Sequence, residues 1–130
     1  MTEVVVRLVT WQPEQAGALA RVELSIDTPA RNYSVYIAGS GLQFQPGLEA
    51  GVTLALLAAM RTGSDLRVEG ALSATFLHGL QQYMHRFTKG FPEFNIVSVL
   101  PESILHLQYI APTSRCASFF SGGVDSFLLC

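Results

Sequence analysis

The sequence predicts an α+β domain over residues 1–112, followed by the beginning of a second, α/β domain over residues 113–130. Three observations support this division. Segments near the N-terminus are β-branched or alternate between apolar and polar residues, two central segments repeat apolar residues at helical spacing, and a glycine-rich turn lies between two apolar runs near residue 120. The first domain is therefore expected to be a β-meander with two helices packed on a sheet.

Three strands are predicted in the N-terminal third. Residues 4–10 are rich in β-branched side chains, and residues 20–27 alternate apolar with polar or charged side chains. A third strand, residues 32–37, follows a turn at Thr28-Pro29. Short connections favour antiparallel neighbours, which predicts the meander.

Two helices and further strands follow. Residues 48–61 predict a helix that ends at Thr62-Gly63, and Ser73 is placed to cap a second helix that reaches about Lys89 and is ended by Gly90. A short strand is predicted between them at 66–70, another at 94–100 closed by Pro101-Glu102, and one more at 104–110, before a linker at 111–114.

The helical spacing also predicts which side chains are buried. On the first helix these are Leu48, Val52, Ala55, Leu56 and Ala59. On the second helix the buried stripe is Leu72, Phe76, Leu80, Tyr83, Met84 and Phe87, and the opposite side is His78, Gln81, Gln82, His85 and Arg86. His78 and His85 are seven residues apart, but no carboxylate or cysteine completes a set of metal ligands, so solvated or capping histidines are expected.

The amino-acid composition argues against several classes of function. Hydrophobic residues make up 49% of the chain and charged residues 14%, which is typical of a packed domain and not of a disordered segment. The net charge of −2, with a single lysine and scattered arginines, argues against nucleic-acid binding. Cys116 and Cys130 are too few for a disulfide framework, and the apolar runs are too short for a membrane span. A cytoplasmic protein without a membrane partner is expected.

The most informative segment is Ser121-Gly122-Gly123-Val124-Asp125-Ser126. It follows the apolar run 117–120 and precedes Phe127-Leu128-Leu129, which predicts a strand, a turn and the start of a helix. Such a turn directs successive backbone N–H groups at one anion, and the helix dipole adds positive potential there. The glycines allow close approach of the backbone to phosphates, while the two serines offer hydroxyl donors.

This segment resembles the Ser-Gly-Gly-x-Asp-Ser signature of the PP-loop ATP pyrophosphatases, the adenine nucleotide α-hydrolase-like superfamily. The resemblance covers about fifteen residues. It implies a Rossmann-like α/β domain from residue 113 onward, with ATP held by Ser121, Gly122, Gly123, the Val124 amide, Asp125 and Ser126. Asp125 would either share a Mg²⁺ ion with the phosphates or cap the new helix, and the sequence does not choose between these roles.

By the same resemblance, the function is that of the N-terminal part of an ATP-dependent adenylating enzyme, which forms AMP and pyrophosphate on a small-molecule acceptor. The family's adenine pocket and acceptor site lie mostly downstream of the loop, so the chain on its own is expected to be incomplete and inactive. A homo-oligomer is left open. The alternative is a non-catalytic α+β binding or assembly module that retains a remnant of the phosphate loop.

Overall fold

The computed structural model describes residues 2–40 and 47–106, which form one sheet and two helices. Along the chain the elements are β1 (Glu3–Gln12), β2 (Ala20–Asp27), β3 (Asn32–Gly39), α1 (Glu49–Thr62), β4 (Asp65–Ser73), α2 (Ala74–Gly90) and β5 (Val99–Leu105). The predicted linker and the predicted α/β domain at 113–130 lie outside the described residues.

The five strands form a single mixed sheet in the order β3-β2-β1-β4-β5. β1, β2 and β3 are antiparallel neighbours, which confirms the predicted meander. β4 and β5 run parallel to β1, each reached through a connection that contains a helix. The predicted α+β class of the first domain is thereby confirmed.

Both helix boundaries follow local signals in the sequence. Gly63 ends α1 in the left-handed conformation, with φ of 66°, and its N–H donates to the Ala59 carbonyl. Ser73 caps α2, because its Oγ accepts a hydrogen bond of 3.1 Å from the Phe76 N–H. Both caps agree with the sequence-based prediction.

The predicted strand at 94–100 is wrong. β5 begins only at Val99, and Pro101 and Glu102 lie inside it instead of closing it. The segment before β5 contacts α1 instead, since Asn95 donates two hydrogen bonds to the Met60 carbonyl, at 2.8 Å from its backbone N–H and 3.1 Å from its side-chain amide. The segment before β5 therefore provides hydrogen-bond donors for the Met60 carbonyl, which lies near the C-terminus of α1. Of the strand predicted at 104–110, Ile104 and Leu105 belong to β5, and residues 107–110 lie outside the described residues.

Both helices pack on one face of the sheet, which we call the inner face. The side chains predicted to be buried on α1 are all buried, and on α2 Leu80 and Met84 are buried while Phe76 and Phe87 are partly so. The prediction that Tyr83 is buried is wrong, since Tyr83 is 43% exposed and stacks on Phe87 with ring centroids 5.4 Å apart. Tyr83 therefore lies at the margin of the buried stripe.

In the described part of the chain, neither helix has the length and apolar content needed to cross a membrane.

Candidate functional site

The predicted phosphate loop lies outside the described residues. Nothing in the structure tests the assignment of Ser121–Ser126 to ATP, and that assignment stays a prediction. The described domain has three other features that could bind a ligand or take part in chemistry: a groove at one edge of the sheet, a network of ion pairs on the outer face of the sheet, and a polar surface on α2.

The groove lies at the carboxyl ends of β1 and β4, where open sheets with parallel strands commonly bind ligands. It encloses about 620 Å³ between the sheet and the N-terminus of α1. Its lining is mainly apolar, with Leu8, Val22, Leu24, Ile37, Leu48 and Leu105, and it also includes Glu49, Glu69 and Ser73. The sequence analysis missed this groove, because its walls come from six separate elements.

Two glycines let α1 approach the sheet beside this groove. A Cβ atom on Gly51 would lie 2.8 Å from Val6 Cγ1 and 3.0 Å from Leu24 Cδ1, and one on Gly70 would overlap Leu48 Cδ1. Real Cβ atoms do not approach neighbours so closely, since such contacts are repulsive. Glycine at these two positions therefore sets the depth of α1 on the sheet and the shape of the groove.

The N-termini of both helices border the groove. The N-cap of α1 is Leu48, which offers no side-chain hydrogen bond, and Glu49 occupies the first turn. The N-cap of α2 is Ser73, whose Oγ accepts a hydrogen bond from the Phe76 N–H. Glu49 is stabilised by the positive end of the α1 dipole, so a carboxylate already occupies this end of the helix.

The outer face of the sheet carries a continuous network of ion pairs. Arg7 Nη2 lies 3.3 Å from Asp27 Oδ2 and donates to Glu69 Oε1 at 3.4 Å. Arg7 Nε lies 3.2 Å from Glu69 Oε2 but makes no hydrogen bond, because its N–H is not aligned with that oxygen. Arg67 continues the network to Glu69 at 3.1 Å and to Glu3 at 3.3 Å. The charges alternate in sign across β2, β1 and β4.

The network stabilises the charged form of Arg67. Its hydrogen bond to Glu3 is the largest cause that raises the pKa of this guanidinium, burial acts in the opposite direction, and Glu69 adds to the rise. The guanidiniums stay charged at any physiological pH. This surface is therefore a nearly neutral pattern of alternating charges.

Arg7→Met is expected to lower the free energy of unfolding by about 1 kcal/mol, a value kept small because the Arg7 side chain is 42% exposed. The loss leaves Asp27 and Glu69 without their shared cation. Urea denaturation at low and at high salt checks this, since the difference from the wild type should shrink as salt screens the pairs. Arg31→Met is the matched control, because no ion pair of Arg31 occurs among the described residues, and an equal loss in both variants would contradict the role of the network.

The histidines of α2 behave as the sequence predicts. His78 and His85 are both exposed, and His78 Nε2 is 3.1 Å from Gln82 Nε2. Among residues 2–40 and 47–106, no group of three or more histidine, cysteine or acidic side chains is placed to hold a metal ion.

Comparison with known proteins adds no assignment: no protein-family model matches the chain, and no curated protein matches it. The phosphate-loop motif and the described domain are therefore the basis for any statement about function.

Proposed function

We propose that this chain is the N-terminal part of an ATP-dependent adenylating enzyme of the PP-loop type, acting on a small-molecule acceptor in the cytoplasm. One observation carries the proposal: Ser121-Gly122-Gly123-Val124-Asp125-Ser126 lies between two apolar runs in the order expected of strand, phosphate loop and helix. In this role the loop amides and the hydroxyls of Ser121 and Ser126 bind the terminal phosphates of ATP.

The chemistry follows from where charge develops. Attack of an acceptor oxygen on the α-phosphorus breaks its bond to the bridging oxygen, and pyrophosphate leaves with added negative charge. Donors already aimed at those phosphates stabilise the leaving group more than the ground state, which lowers the barrier. Mg²⁺ would supply further charge neutralisation, with Asp125 as its candidate protein ligand or, alternatively, as the cap of the following helix.

In this proposal the described domain has an accessory role. Its groove opens at the carboxyl edge of the sheet, the edge at which β5 ends with Leu105. β5 therefore ends beside the groove, and 15 residues separate Leu105 from the predicted loop, which begins at Ser121. An apolar groove so close in sequence to the loop is suited to orienting an acceptor, and the net charge of −2 favours a small molecule over RNA.

Asp125→Ala or Ser126→Ala is expected to reduce ATP turnover by about tenfold or more in the protein that contains this chain, since each removes a contact to a charged group. ATP–pyrophosphate exchange measures this step directly. Ser114→Ala, a serine outside the loop, is the matched control and should leave exchange unchanged. Undiminished exchange in the Asp125 and Ser126 variants would mean that the motif has been misread.

The second candidate is a non-catalytic binding or assembly module with a remnant phosphate loop. The observation in its favour is that the described residues already enclose a core in which α1, α2 and the sheet share one buried cluster. The same exchange assay discriminates the two: a wild-type protein that neither binds ATP nor exchanges pyrophosphate would favour the module.

A further inference from the structure

The edge strand β3 is the least protected part of the sheet. It pairs with β2 along all of its 8 residues without a register shift, and β2 is its only neighbour among the described strands. Its other side therefore presents a straight row of backbone donors and acceptors, which is a template for another strand.

Natural edge strands usually block such pairing through features of their own residues, and β3 lacks those features. It contains no charged residue, no proline and no bulge. β5, at the opposite edge, has a register shift against β4 and contains Pro101 and Glu102. Of these two edges of the sheet formed by residues 2–40 and 47–106, only β3 is free of such residues and irregularities.

The side chains of β3 are also unusually apolar for their exposure. Tyr33, Tyr36 and Ile37 are 49%, 61% and 41% exposed. Tyr33 and Ile37 lie on the inner face, opposite Ile26 and Val22 of β2, and α1 packs chiefly on β1, β4 and β2. The apolar inner face of the sheet thus continues past the area that the helix covers.

We propose that β3 is a dimerisation edge, which pairs antiparallel with β3 of a second copy of this chain about a twofold axis through Val35. An antiparallel strand is self-complementary under such an axis, so identical edges satisfy each other. A twofold axis perpendicular to the sheet keeps the inner faces of both copies on one side, which requires paired residues to share a face. Pairings centred on Val35 and on Tyr36 both meet this condition, and both pair the same number of residues between the two β3 strands.

Side-chain contacts select the axis at Val35. In this register Tyr33 of each copy faces Ile37 of the other and Val35 faces itself, so the inner rows across the junction are entirely apolar. An axis at Tyr36 would instead place Gly39 opposite Tyr33 and leave that ring without a partner.

The charges on β2 are compatible with the same register. On the outer face, Ala38 of one copy would face Asn32 of the other. In the same row across the four strands, the β2 residue next to Ala38 is Arg21 of the first copy, and the β2 residue next to Asn32 is Asp27 of the second copy. These two residues have opposite charges. Centring the pair on Tyr36 would place Glu23 of both copies in one row. The Val35 register therefore brings no like charges together, and it adds about eight main-chain hydrogen bonds at the junction.

The first test uses two double variants that remove the same apolar residues and differ only in one sign of charge. Tyr33→Glu with Ile37→Glu places carboxylates opposite each other twice across the junction, while Tyr33→Lys with Ile37→Glu places opposite charges there. Sedimentation velocity over a concentration series of the full chain should show a wild-type dimer. The dimer dissociation constant should be about tenfold or more higher for the Glu/Glu variant than for the Lys/Glu variant.

Both positions are exposed, so circular dichroism is expected to show folded protein for each variant. Leu100→Glu, at an exposed position on the other edge strand, is the matched control and should leave the dissociation constant unchanged. A monomeric wild type at roughly 100 μM, or equal constants for the two double variants, would overturn the proposal.

The second test reads the register. With Cys116 and Cys130 replaced by serine, Val35→Cys should form an intermolecular disulfide under mild oxidation, because facing Cα atoms in an antiparallel pair are about 4.5–5.5 Å apart. Ala38→Cys should not, since the two copies of that position would be about 20 Å apart. A dimer that cross-links through position 38 and not through position 35 would refute the twofold axis at Val35.

Discussion

Leu66→Ala is expected to lower the free energy of unfolding by about 3 kcal/mol, a much larger loss than any exposed position of this domain should show. Leu66 is fully buried in β4, between Val4 of β1 and Val99 of β5, and its N–H donates to the Ser98 carbonyl at 2.9 Å. Truncation removes apolar contact and leaves a cavity that neighbouring strands cannot fill, because hydrogen bonds on both sides hold their spacing.

Chemical denaturation measured by circular dichroism checks this expectation. Leu54→Ala is the matched control, because Leu54 is 58% exposed on α1 and alanine is a good helix former, so its effect should stay within about 0.5 kcal/mol. Similar losses in both variants would contradict the position of the core on the inner face.

The second large effect concerns how closely α1 packs on the sheet. Gly51→Val is expected to lower the free energy of unfolding by about 2–3 kcal/mol. Its Cβ would already lie 2.8 Å from Val6 Cγ1, and the two further methyl groups demand more space between α1 and the strands. Because Val6 and Leu24 are themselves buried, the helix must shift outward to relieve the overlap.

Gly79→Val is the control for the change in helix propensity. Gly79 lies in α2, where nothing is within 4 Å of an added Cβ, so valine there should change stability by no more than about 0.5 kcal/mol. Thermal and urea unfolding of the two variants provide the comparison. Equal stabilities would show that α1 adapts to the larger side chain without cost.

Local features of the fold followed directly from the sequence. The alternation in residues 20–27 predicted β2 with its observed boundaries, and Gly63 and Ser73 marked the end of α1 and the start of α2. Each signal acts within a few residues of the element that it defines, through side-chain periodicity or a capping hydrogen bond. Such signals operate in the same way wherever the segment lies in the fold.

The errors occurred where a distant partner decides the conformation. Residues 94–98 have the composition of a strand, yet Asn95 binds the Met60 carbonyl, 35 residues away in sequence. Pro101 lies within β5 because an edge strand tolerates a residue without an N–H, and the edge position of β5 was not evident from local pattern. The sheet groove was missed for the same reason, since its walls converge only after β1 and β4 pair.

The sequence by itself determined the α+β class, the meander, both helix caps and the phosphate-loop motif at 121–126, because each depends on residues adjacent in the chain. Only the tertiary structure decided the order β3-β2-β1-β4-β5, the single face that both helices cover, and the ion pairs that join Arg7 to Glu69 across 62 residues. It also decided that β3, which carries no charged residue, lies at one edge of the described sheet. Strand order and edges depend on which distant segments pair, and local propensity does not encode that choice.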